Sequence, residues 1–195
     1  MAKMTKKDIT ATKKILFEEL QKFKETKKIS IVNPVEFSNS YGLNVQLYPI
    51  KDSKYIFDIF NVKLESKDGY DILGFFIIND GKKYFIVDQD MTMNRMRYVI
   101  AYAVGKYFTI VEKMTEDNTV YGYVTESCLL DIDEKTLESI YAKFAREMIM
   151  PEDDFIKLYN NTVKLKYKKD KLGIVARSFN VDFTQTELRC KELNL

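Results

Sequence analysis

The sequence predicts an α+β fold, a small antiparallel sheet packed against helices. Three observations carry that reading. Apolar residues recur at helical spacing near both ends, short strand-like runs bounded by turn residues fill the stretch 43–87, and two long amphipathic stretches follow. With 195 residues the chain can bury a real core as one domain with a small appendage.

Lys6 to Lys27 reads as an amphipathic helix with Ile9, Leu16, Leu20 and Phe23 on one stripe, an N-terminal unit over 1–28 ahead of a domain over 29–195. Pro34 opens a second short helix that runs to Tyr41 and is closed by Gly42. Strand-like runs follow at Leu43–Leu47, Ile56–Leu64, Leu73–Ile78 and Lys83–Val87. Turns are expected at Lys67–Gly69 and at Asn79–Gly81, the second a hairpin signal.

Thr92 to Glu112 reads as a long helix with Met96, Val99, Ile100, Ala103, Val104, Tyr107, Phe108 and Val111 on its buried side. Strand character returns at Tyr121–Thr125. A second strong helix covers Glu134 to Ile149, ended by Pro151. Lys157–Lys171 is lysine-rich, and its run from Lys164 reads as a solvated face. Two short helices, Leu172–Phe179 and Thr184–Leu193, meet at Asn180–Asp182 and form a helix-turn-helix-like pair over 172–195.

A net charge of +2 makes no demand for a nucleic-acid partner. The basic start lacks the apolar run of a signal peptide, and no stretch approaches the length of a membrane span, so a cytoplasmic protein with no membrane partner is expected. Cys128 and Cys190 lack metal-pair spacing and are expected to be reduced. The chain contains no histidine, which eliminates Ser-His-Asp and Cys-His catalysis and zinc sites with imidazole ligands.

The segment Arg95-Met-Arg97-Tyr-Val-Ile-Ala101-Tyr102-Ala103-Val104-Gly105-Lys106-Tyr107-Phe108 resembles Arg-x-Arg-Phe-Thr-Ile-Ala-His-Glu-Leu-Gly-His-Tyr of the ImmA/IrrE zinc-peptidase family. Phe144-Ala145-Arg146-Glu147-Met148-Ile149-Met150-Pro151 is similar to the end of that family's Glu-Ala-Asn-x-Phe-Ala-x-x-Leu-Leu-Met-Pro. Val175-Ala176, Phe179, Val181-Asp182, Arg189 and Leu193 resemble its closing segment, and Asn33–Val35 with Gly42–Val45 its opening. The resemblance spans about Ile29 to Leu195 and implies a zincin-like helix pair.

Chemically, the departures outweigh the match. Two imidazoles one helical turn apart, a glutamate base between them and a third ligand from a later helix make such a zinc site. Those four positions fall on Tyr102, Lys106, Ala103 and Ile140. A lysine ammonium repels a metal ion, alanine moves no proton and isoleucine binds nothing. Glu138 is expected to face away and Glu147 to lie about two turns, roughly 10 Å, too far along. Neither zinc, another cofactor nor catalytic residues are expected.

Arg95, Tyr98, Tyr102 and Lys106 share one helical stripe, a candidate surface for binding a protein partner. The plainer alternative is that Tyr102 fills the space the metal left and Lys106 is solvated. The resemblance implies a setting among phages and mobile elements, where such proteins act on repressors. The expectation is therefore a pseudoenzyme, a regulator that binds such a protein without cutting it. Two alternatives stay open: a DNA-binding regulator using Arg177, Arg189 and Lys191 of the C-terminal pair, and an enzyme of unrelated chemistry built on Tyr102 and Lys106.

Overall fold

A computed structural model describes residues 6–65, 69–130, 136–162 and 167–195. It is α+β, with a four-stranded sheet between one small helix and a larger helical layer.

Helix α1, Lys6–Lys27, buries Leu16, Leu20 and Phe23 in the main core, so it shares that core with the rest of the chain. Helix α2, Pro34–Ser40, starts where the Asn33 side chain accepts from the Val35 N–H at 3.0 Å, with proline at the first helical position. Gly42, at φ +76°, turns the chain out of α2 into strand β1, Leu43–Tyr48.

The next element corrects the sequence expectation. Residues 56–64 are not a strand: helix α3 spans Ser53–Phe60, capped by Asp52 on the Tyr55 N–H at 3.0 Å and ended by left-handed Asn61. The aromatic and β-branched run suits a strand, but Ile56 and Phe60, one helical turn apart, are the two residues α3 buries.

Strands β2, Ile72–Asn79, and β3, Lys82–Asp88, form the expected hairpin, with Asp80 and Gly81 both at positive φ as a type I′ turn requires. The expected turn at Lys67–Gly69 lies largely outside the described residues. Strand β4 is Val120–Thr125, and the sheet order is β1-β3-β2-β4. The sheet is mixed: β2 is antiparallel to β3 and β4, while β1 pairs with β3 in parallel. The chain passes from β1 through α3 to β2, and β3 then returns between them, so the edge pair β1–β3 is parallel and the inner pair β3–β2 antiparallel.

Side chains alternate across the sheet. Phe75, Ile77 and Ile86 pack with Ile56 and Phe60 under α3, whereas Phe76, Ile78, Phe85 and Val87 join the main core. Helix α4, Met93–Ile110, is capped by Thr92 and lies in that core beside α5, Leu137–Ile149. Gly105 permits the close approach: a Cβ there would stand 3.1 Å from the Phe144 ring and 3.4 Å from Tyr141 Cα. Glu134 and Lys135, the expected start of α5, lie outside the described residues.

A helix not anticipated from the sequence, α6 (Glu152–Asn161), follows Pro151 directly and carries three carboxylates in its first turn. Helix α7, Lys168–Phe179, begins four residues ahead of its expected start at Leu172, and α8 is Phe183–Glu192. Residues 164–166 of the lysine run lie outside the described residues.

Candidate functional site

Tyr102, Ala103 and Lys106 lie on α4 and Ile140 on α5, and three of the four are closed into the core. Tyr102 is 3% exposed, Ala103 0% and Ile140 5%. The Tyr102 ring meets Tyr141 edge-on at 5.7 Å, and the Tyr141 hydroxyl is 2.8 Å from Thr109 Oγ1. Tyr98 is also buried and donates to the Cys128 carbonyl at 3.1 Å.

Strand β4 and the 3-10 turn after it, Glu126–Leu129, lie against this side of α4. Lys106, half-buried, donates from Nζ to the Tyr123 carbonyl at 2.7 Å. Arg95 pairs with Glu126 at 2.6 Å. The predicted stripe is thus brought together, but most of it faces inward. Tyr98 and Tyr102 serve the core, and only Arg95 and Lys106 keep side-chain access to solvent. Tyrosine is amphipathic, and helical spacing cannot separate an aromatic binding stripe from an aromatic core stripe. Sequence reasoning missed the partners that create this burial: Tyr141, Thr109, Cys128 and the Tyr123 carbonyl.

The electrostatics follow the packing. Burial pushes the Tyr102 and Tyr98 hydroxyls well above the usual phenol range, Tyr141 up to about 12 and the Cys128 thiol up to about 12. All four are neutral at physiological pH. Burial lowers the Lys106 amine, while Glu138 and Cys128 oppose that shift. Glu138 is exposed on the first turn of α5.

This donor set does not fit zinc. It offers neutral phenols, a cationic amine, alanine and isoleucine where a metal needs imidazole, carboxylate or thiolate. Among the described residues, no three cysteine, aspartate or glutamate side chains converge to hold a metal ion elsewhere.

The C-terminal helices are tied to the domain by a buried ionic chain. Glu147 of α5 pairs with Lys24 of α1 at 2.9 Å and with Arg189 of α8. Glu192 pairs with Arg146 at 2.8 Å and with Arg189 at 3.4 Å, and Arg189 also donates to the Met150 carbonyl. Arg189, one of the three residues of the alternative DNA-binding reading, is 3% exposed and committed to these partners. Arg177 and Lys191 are exposed. Arg97 reaches the other helix of the pair, donating to the Phe179 carbonyl.

Among the described residues no helix is long and apolar enough to cross a membrane. No protein-family model matches the chain, and no curated protein is significantly similar to it.

Proposed function

We propose that the chain is an ImmA/IrrE-like pseudopeptidase that regulates by binding a protein partner, a repressor of a phage or mobile element, without cutting it. The observation that carries this reading is the chemistry at the four resembling positions. Tyr102, Ala103 and Ile140 are closed into the core, and Lys106 places an ammonium group where the family holds a metal. The phenols and the thiol are held protonated at neutral pH, and the base position is a methyl group.

Regulation by binding requires surface, and Arg95 and Lys106 are the members of the predicted stripe open to contact. The test is recovery of the chain with its partners from the cell that encodes it, then calorimetric titration with each recovered repressor and mass analysis of the mixture. A saturable complex with the repressor intact is expected. A repressor cut by the chain, or one that neither binds nor changes, refutes the reading.

A further inference from the structure

A groove of about 750 Å³ lies beside β1, on the side of α4 that meets neither β4 nor α5. Met93, Met96, Arg97 and Ile100 of α4 form its floor, Val45 and Leu47 of β1 one wall, and the segment leading into α2 the other. Its rim keeps large apolar side chains in water: Met93 is 76% exposed, Leu47 52% and Ile31 41%. A rim of that kind marks an interaction site.

Strand β1 ends the sheet and pairs only with β3 among the described residues. In a parallel pairing, alternate residues turn their N–H and C=O groups away from the neighbour, so part of the β1 backbone faces the open side. Soluble proteins protect such edges with charge, proline or bulges. Strand β1, Leu-Asn-Val-Gln-Leu-Tyr, has no charge and no proline, and its register with β3 is unbroken. At the opposite edge β4 pairs with β2 through two register shifts, a protection β1 lacks.

The groove also holds a cation. The Arg97 guanidinium donates to the Phe179 carbonyl, burial lowers its pKa, and among the described residues no carboxylate forms an ion pair with it. A half-buried cation on an apolar floor selects for an acidic group arriving from outside.

We propose that β1 and this groove bind an extended segment of a protein partner, which adds to the sheet beside β1, sets apolar side chains over Met93 and Ile100, and pairs an acidic side chain with Arg97. Main-chain bonds to β1 supply affinity, and alternate side chains facing the groove supply specificity. The recognised pattern is apolar, any, acidic, any, apolar, because residues two apart share a face. This rests on the reading that the chain works by binding protein, and places the contact away from Tyr102 and Lys106.

The probe is a short labelled peptide, Ser-Val-Thr-Glu-Thr-Val-Ser, measured by fluorescence anisotropy and by amide shifts of Asn44 to Leu47. Saturable binding with shifts in β1 is expected. Glu→Gln in the peptide weakens it by about tenfold, and methylating the alternate peptide nitrogens that face β1 abolishes it while methylating the other set does not. Met93→Asp, at an exposed position that leaves the melting temperature unchanged, also weakens it by about tenfold or more. Binding indifferent to N-methylation, shifts away from β1, or no saturable binding of the peptide overturns the proposal. A repressor complex that survives Met93→Asp while the peptide does not bind overturns the groove alone and leaves the binding function standing.

Discussion

The Lys106 ammonium group and the Tyr123 carbonyl oxygen lie 2.7 Å apart and join α4 to β4. The Lys106 stem passes beside Gly122, where a Cβ would stand 3.7 Å from Lys106 Cε, an ordinary contact. A cation held by one carbonyl and partly stripped of water is a weak compromise, which is why burial lowers its pKa from the usual 10.5.

That compromise has a signed consequence. With the folded pKa below 10.5, the unfolded chain binds more protons between the two values, so this group's contribution rises with pH there. The stability difference between wild type and Lys106→Met should move in favour of wild type as pH climbs towards 10.5, by at most about 1.4 kcal/mol per pH unit. Urea denaturation of both proteins in alkaline buffers measures it. A difference that is flat with pH contradicts the burial of the amine.

The buried thiol and phenols act in the opposite direction. Cys128 is raised from 9.0 to about 12, so above pH 9.0 the unfolded chain loses a proton that the fold retains. Stability is fully present below that pH and falls above it, and Tyr98, Tyr102 and Tyr141 add to the fall from about pH 10. Cys128→Ala should lose less stability than wild type between pH 9 and pH 11, by about 1.4 kcal/mol per unit or less. Parallel slopes for the two proteins would show that the thiol is not buried as described.

Arg189 is held in the core by Glu147 and Glu192, with its side chain 4% exposed. Removing Arg189 leaves Glu147 to Lys24 alone and Glu192 to Arg146 alone, which puts the cost at the lower end of the range of about 3–5 kcal/mol for breaking a buried pair. Arg189→Met should therefore lower the unfolding free energy by about 3 kcal/mol, read by chemical denaturation. A change of under about 1 kcal/mol would place Arg189 at the surface, free for another role.

Helices α1, α2, α4 and α5 were legible because their apolar periods are long and their caps, Asn33 and Thr92 among them, are local. The hairpin was legible in Asn79-Asp80-Gly81 for the same reason. Helix α3 was not: in a run as short as Tyr55–Phe60, strand propensity and helical spacing compete, and the sheet face that α3 covers decides. The parallel β1–β3 pairing is a long-range choice with no local signature. Of the candidate site, the identities at Tyr102, Ala103, Lys106 and Ile140 were plain, while the inward turn of Tyr98 and Tyr102 depends on α5 and the turn at Cys128.

The C-terminal pair contributes Leu172, Val175, Phe179, Val181 and Cys190 to the main core. A chain ending at Lys171 loses them together with the Arg189 pairs, a deficit beyond about 5 kcal/mol and comparable to a whole domain's stability. It should expose apolar surface and lack a cooperative melt. A truncated protein that melts like the full chain would show that α7 and α8 are an accessory.

The most direct measurement is zinc content after equilibrium dialysis of the purified chain against buffered zinc. The chemistry at Tyr102, Ala103, Lys106 and Ile140 predicts no stoichiometric metal at this site, and no change in the melting temperature on adding zinc or a chelator. One equivalent of zinc, lost on substituting Tyr102 or Glu138, would contradict the account and assign metal chemistry to this face of α4.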